Sequence, residues 1–145
     1  MKPIEDLFNQ IEAEDPFSEH IRELVLKLVD EYKDDRITPF IIKLMKKGSV
    51  KELNSILLYS CHEYSVTECI PYFNYFIDII INSNFEAAWA AASLISDMRQ
   101  YFSLIEISQI QDAHSNLLLS RSNLSPNADL MKDVIFYLEE DVLRN

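Results

Sequence analysis

The sequence predicts an all-α protein, either a HEAT-like α-solenoid or a compact helical bundle of about seven to eight antiparallel helices. Three observations predict it. Gly48 is the only glycine, whereas a sandwich or barrel needs many tight turns. Apolar residues recur at spacings of three and four. Residues that favour helix N-caps stand before each such run. At 145 residues the chain is long enough to bury a core, and it is expected to form one helical binding domain spanning 1–145. A hydrophobic fraction of 48% argues against disorder.

Residues 1–36 read as capping helices. "PIEDLFNQIEAE" is expected to be a short helix. "SEHIRELVLKLVDEY" is amphipathic, with Ile21, Leu24, Val25, Leu28 and Val29 inward. Helical hairpins are expected at 38–60, 67–98 and 103–142.

In the first hairpin Thr38 is the expected N-cap and Pro39 the first helical residue. Gly48 suits the helix end, and Ser49 with Glu52 has capping-box spacing.

In the second, Thr67 is the expected N-cap and Pro71 the fourth helical residue. Phe73, Phe76, Ile77, Ile80 and Ile81 crowd a wide apolar face. Ser83 and Glu86 have the spacing to start the alanine-rich "FEAAWAAASLISDM" after a turn of two to four residues.

A shift of 35 residues aligns these two hairpins. Ile41, Ile42, Leu44 and Met45 fall on Phe76, Ile77, Ile79 and Ile80, while Val50, Leu53, Ile56 and Leu57 fall on Phe85, Ala88, Ala91 and Ala92. The third hairpin opens with Ser103 and Glu106. Its second helix opens with Ser125 and Pro126 and turns Leu130, Val134, Ile135, Leu138 and Val142 inward. A hairpin cannot bury its apolar face alone, so stacking would form a continuous core.

The net charge of −11 is uneven. Residues 1–35 hold four Lys/Arg and eleven Asp/Glu, residues 36–60 five and one, and residues 61–145 four and twelve. Such a surface should repel nucleic acid and anionic membrane and attract a basic partner. Solubility is the simpler use of the same charge. No apolar run approaches the roughly 20 residues that span a bilayer. The acidic start "MKPIEDLFNQIEAED" lacks signal-peptide regions, which predicts a cytoplasmic protein. Cys61 and Cys69 are expected as reduced thiols.

No motif carries chemistry. One glycine permits no glycine-rich phosphate loop. "CHEYSVTEC" gathers Cys61, His62, Glu63, Glu68 and Cys69, but cysteines eight apart lack zinc-site spacing, and His20 and His114 have no partner motif. Cys61 and His62 are adjacent, so on a helix their side chains diverge by roughly 100°. Neither metal, cofactor nor enzymatic activity is expected, and both cysteines read as small packing residues.

Binding remains. If the second helices line a groove, the candidate partner-binding residues are Tyr59, Glu63 and Tyr64, then Glu86, Trp89, Ser93 and Asp97, with Tyr101 beyond, and Tyr137, Glu140 and Asp141 on the last helix. Aromatics among carboxylates suit a cationic partner. Trp89 in "AAWAAA" also reads as a core plug facing small residues.

Four pieces between Leu57 and Met98 carry a resemblance: "LLYSCHEY", "YFNYFIDIIIN", "NFEAAW" and "SLISDM". This stretch resembles the helical immunity proteins of bacterial polymorphic-toxin and contact-dependent growth-inhibition systems, in particular the family catalogued as immunity protein 30. The resemblance implies a small monomeric inhibitor that binds a cognate toxin domain one to one and covers its active site. It also implies a basic target, since many such toxins are nucleases, against which an acidic inhibitor mimics nucleic acid in charge. A HEAT-like adaptor for an endogenous basic protein or peptide is the alternative.

Overall fold

A computed structural model describes residues 3–48, 50–120, 127 and 129–136. The chain is all-α, and no strand occurs among the described residues. None of their helices is long and apolar enough to cross a membrane. Contacts group the chain into two compact units, Met1–Glu68 and Cys69–Asn145.

The first unit holds α1 (Ile4–Ala13), α2 (Glu19–Glu31), α3 (Ile37–Lys47) and α4 (Asn54–Ser60). Each of the first three has one apolar stripe, and the stripes meet in a core. α1 contributes Ile4, Leu7 and Ile11, and α2 the five residues that its periodicity predicts. α3 buries Ile41, Ile42, Leu44 and Met45, while Phe8 and Phe40 stack across α1 and α3 with ring centroids 4.4 Å apart.

α3 ends where its glycine permits. Gly48 lies at φ 77°, and its N–H returns to the Met45 carbonyl. Lys46 and Lys47 sit in the last turn, favourably placed against the helix dipole. The start differs from expectation. Thr38 is not the cap, because α3 begins at Ile37, and Thr38 is fully buried within its first turn. Asp34 organises the entry instead: its Oδ1 accepts the Arg36 N–H at 2.9 Å, and its carbonyl accepts the Ile37 N–H at 3.0 Å. Pro39 is then the third helical residue, where its missing N–H costs no helical bond. The proposed box of Ser49 and Glu52 involves Ser49, which lies outside the described residues.

The second unit holds α5 (Phe73–Asn82), α6 (Phe85–Asp97), α7 (Leu104–Ser120) and α8 (129–136). α5 starts six residues after the expected cap Thr67. Residues Val66–Glu68 and Ile70–Tyr72 form 3-10 turns instead. Pro71 lies inside the second of these turns, where the Tyr72 N–H reaches the Cys69 carbonyl at 3.0 Å.

α5 and α6 form the expected hairpin, joined by Ser83 and Asn84. The cap of α6 is Asn84 rather than Ser83: Asn84 Oδ1 accepts the Ala87 N–H at 2.9 Å. Ala87, Ala88, Ala90, Ala91 and Ala92 are buried, and these small side chains suit the packing of α6 on α5, its most extensive partner among the described elements. Ser103 and Glu106 do form a capping box: the Ser103 N–H donates to Glu106 Oε2 at 2.9 Å, and Ser103 Oγ accepts the Ile105 N–H at 3.3 Å. The Ser103 hydroxyl also donates to Glu106 Oε2, and this bond, with the backbone one adding, holds the Glu106 carboxyl below its ordinary range. Ile107 and Ile110 of α7 and Leu130, Met131 and Val134 of α8 complete the core described.

Candidate functional site

The expected partner-binding residues fall into three groups. In the first unit Tyr59 is exposed at the end of α4 and stacks on His62, with centroids 6.4 Å apart. Glu63 already has a cation: it forms an ion pair with Lys33. Tyr64 departs from the expectation of a surface residue, being only 8% exposed, with no hydrogen-bond partner for its hydroxyl among the described residues. Burial, with the Glu63 charge adding, pushes the Tyr64 hydroxyl up to about 12. Tyr64 therefore packs as a core residue.

In the second unit Glu86, Trp89, Ser93 and Asp97 form one stripe along α6, at spacings of three, four and four. Ala87, Ala88, Ala90 and Ala91 are buried off this stripe, whereas Ala92, three residues after Trp89, borders it. Trp89 is consequently no core plug: it is 48% exposed. Glu86, Asp97 and Tyr101 are also exposed. Tyr137, Glu140 and Asp141 lie outside the described residues.

Two features around Trp89 were missed in the sequence. Phe85, one turn earlier, is exposed rather than core, and its ring centroid lies 6.1 Å from that of Trp89 at an interplanar angle of 42°. Beside them α6 and α8 enclose a groove of ≈ 240 Å³. α6 lines it with Trp89, Ala92, Ser93 and Ser96, and α8 with Leu130, Asp133 and Val134. Both sets follow helical spacing, so each helix offers one face. The i, i+3, i+4 set Leu130, Asp133 and Val134 was the available signal, since it places a carboxylate in an otherwise apolar stripe.

Ion pairs hold some of the acid in the first unit, though Glu12, Glu19 and Glu23 there have none among the described residues. In the first unit Arg36 binds both Glu5 and Asp34 at 2.7 Å, Arg22 lies 3.2 Å from Glu52, and His20 lies 3.2 Å from Glu14. Glu5 and Asp34 are held below their ordinary range chiefly by their hydrogen bonds to Arg36. In the second unit the carboxylates of Glu86 and Asp133 have neither an ion pair nor a hydrogen bond among the described residues. Carboxylates with no partner among the described residues thus flank the exposed aromatics.

The arrangement offers a binding surface. Among the described residues no group of three or more His, Cys, Asp or Glu side chains is placed to hold a metal ion. Cys61 and Cys69 are buried and are not joined in a disulfide, and Cys61 Sγ donates to the Leu57 carbonyl at 3.4 Å. Comparison with protein-family models, with curated proteins and with solved structures finds no match to this chain.

Proposed function

We propose that the chain is a cytoplasmic immunity protein, which neutralises a cognate toxin domain by laying an acidic, aromatic-anchored surface over its basic active site. One observation carries the reading: Phe85 and Trp89 stand exposed together beside the carboxylates of Glu86 and Asp133, which have no cation among the described residues. Exposed aromatics are desolvation anchors of protein interfaces, and carboxylates at their rim steer a basic surface into place. The resemblance of residues 57–98 to immunity proteins supplies the kind of partner. Neutralisation of this kind needs no metal, cofactor or turnover.

Glu86 and Asp97 remain rim carboxylates in this reading. Glu63 is a weaker choice, because its ion pair with Lys33 must be given up or shared. The test is co-purification with the protein encoded immediately upstream, followed by measurement of both rate constants across a salt series. A one-to-one complex is expected, with an association rate that falls steeply with salt, since the attraction is screened over about 8 Å at physiological ionic strength. Absence of a complex even at low salt, with no protection of cells expressing the upstream protein, would reject the proposal.

A further inference from the structure

We infer that the α6–α8 groove receives the guanidinium of an arginine side chain presented by a basic partner protein. This rests on the binding reading above and names the group that is bound. Size is the first argument. At ≈ 240 Å³ the groove is smaller than the about 300–1,000 Å³ of small-molecule sites, and is of the order of one long side chain.

Its walls supply the chemistry. Trp89 offers an open indole face, and Phe85 flanks that indole on the same helix. Ala92, Leu130 and Val134 offer apolar surface to an aliphatic stem, and Asp133 offers a carboxylate with no other cation among the described residues. The charge is complementary to a cation: residues 69–145 hold ten Asp/Glu and four Lys/Arg.

Other occupants fit worse. A phosphate or carboxylate meets charge of its own sign. An aliphatic plug strips water from Asp133 and returns no partner. A second copy of the chain brings a net charge of −11 against an acidic rim. Between the two long cations, arginine is favoured over lysine. Its planar, weakly hydrated guanidinium can stack on the indole while offering paired N–H groups to the carboxylate; an ammonium is a compact, strongly hydrated point charge.

The chain provides its own reporter, because Trp89 is the only tryptophan. Blocked hexa-arginine and hexa-lysine peptides are titrated against the protein at low ionic strength, and Trp89 emission is followed. Hexa-arginine is expected to change the emission saturably and to bind at least about fivefold tighter than hexa-lysine. Asp133→Asn should weaken hexa-arginine by about tenfold. Asp112→Asn, which alters net charge equally at an exposed position outside the groove, should change it by less than about twofold. Both variants should melt like the parent, since both positions are exposed. Equal effects of the two substitutions, or equal binding of the two peptides, would overturn the arginine site.

The upstream-encoded protein separates this inference from the reading beneath it. Undiminished capture by Asp133→Asn and Trp89→Phe rejects the groove and leaves neutralisation standing. A groove that discriminates arginine, in a chain that does not capture that protein, upholds the groove and rejects the neutralisation reading.

Discussion

Replacing Asn127 is expected to destabilise the second unit out of proportion to the size of the change. Asn127 is 5% exposed, and its Nδ2 donates to the Ile80 carbonyl at 2.8 Å and the Ser83 carbonyl at 3.1 Å. Ile80 O belongs to the last turn of α5, whose carbonyls have no partner within the helix. The side chain thus caps α5 from a point 47 residues further along the chain. Asn127→Ala leaves a buried carbonyl without a donor, at a cost of about 1–3 kcal/mol, and loses a second, less buried bond. A total near 2 kcal/mol lowers the melting temperature by roughly 5–10 °C for a chain of this size. Asn127→Asp keeps the shape but removes the donors, and it sets a carboxylate against two carbonyl oxygens at the negative end of α5. Its melting temperature at neutral pH should lie below that of the alanine variant. The introduced carboxyl then has a raised folded-state pKa. Its penalty should shrink as pH falls and the protonated acid regains a donor. Far-UV circular dichroism melts of the three proteins at neutral and acid pH decide the matter. If both variants melt with the parent, the Asn127 cap contributes nothing and the reasoning is wrong.

Ile80 is fully buried, so Ile80→Asp should abolish the cooperative melt, since an unpaired buried charge costs several kcal/mol, on the order of the whole stability of a domain; a native melting curve would contradict this. Tyr64→Phe should leave stability unchanged or raise it by up to about 1 kcal/mol, because it deletes a buried hydroxyl without a hydrogen-bond partner among the described residues; a loss of more than about 1 kcal/mol in denaturant titration would show that the hydroxyl is satisfied. Ser103→Ala should lower the melting temperature above pH 4.5, the ordinary Glu106 value, and the gap should close as pH falls through the depressed Glu106 pKa; a gap independent of pH would remove the ionised carboxylate from the cap. Trp89→Ala should keep the parental melting temperature within a few degrees and weaken binding of the upstream-encoded protein at least about tenfold; a large melting loss with unchanged affinity would return Trp89 to the core.

Periodicity was a better guide to this fold than caps: the Gly48 end and the Ser103–Glu106 box hold, while the Thr38, Thr67 and Ser83 starts do not. The inward residues Ile21, Leu24, Val25, Leu28 and Val29 follow from spacing alone, because a 13-residue amphipathic helix has one way to bury its stripe. Helix starts are harder, since neighbouring residues compete for the same role. Asn84 stands next to Ser83 and takes the cap, and Asp34 precedes Thr38 and organises the turn before it is reached. Pro71 was read as the fourth residue of a helix capped by Thr67, and it sits instead in a 3-10 turn ahead of α5. Asn127 had no local signature, because its partners are remote in sequence. The repeat alignment suffered in the same way. It matched Val50 with Phe85 and Ile56 with Ala91, yet in each pair one residue is buried and the other exposed, since a shift of 35 carries no information about rotation at helix ends.

Trp89 shows what decides between anchor and plug. Alanines on both sides make "AAWAAA" look apolar all round, so periodicity does not orient it. Its neighbours along the face do: Glu86 lies three before and Ser93 four after, and a plug would have dragged both inward. The same logic applies to the net charge, whose total says little. Acid serving only solubility can sit anywhere, and in the first unit four carboxylates lie against Lys or Arg and a fifth against His20. In the second unit Asp133 enters an apolar groove beside an exposed indole, where a covered carboxylate is costly unless a cation comes with the cover. Glu86, on the outer face of the same helix, can bring that cation in without being buried by it. Placement, more than quantity, is therefore what ties the acid of this chain to recognition.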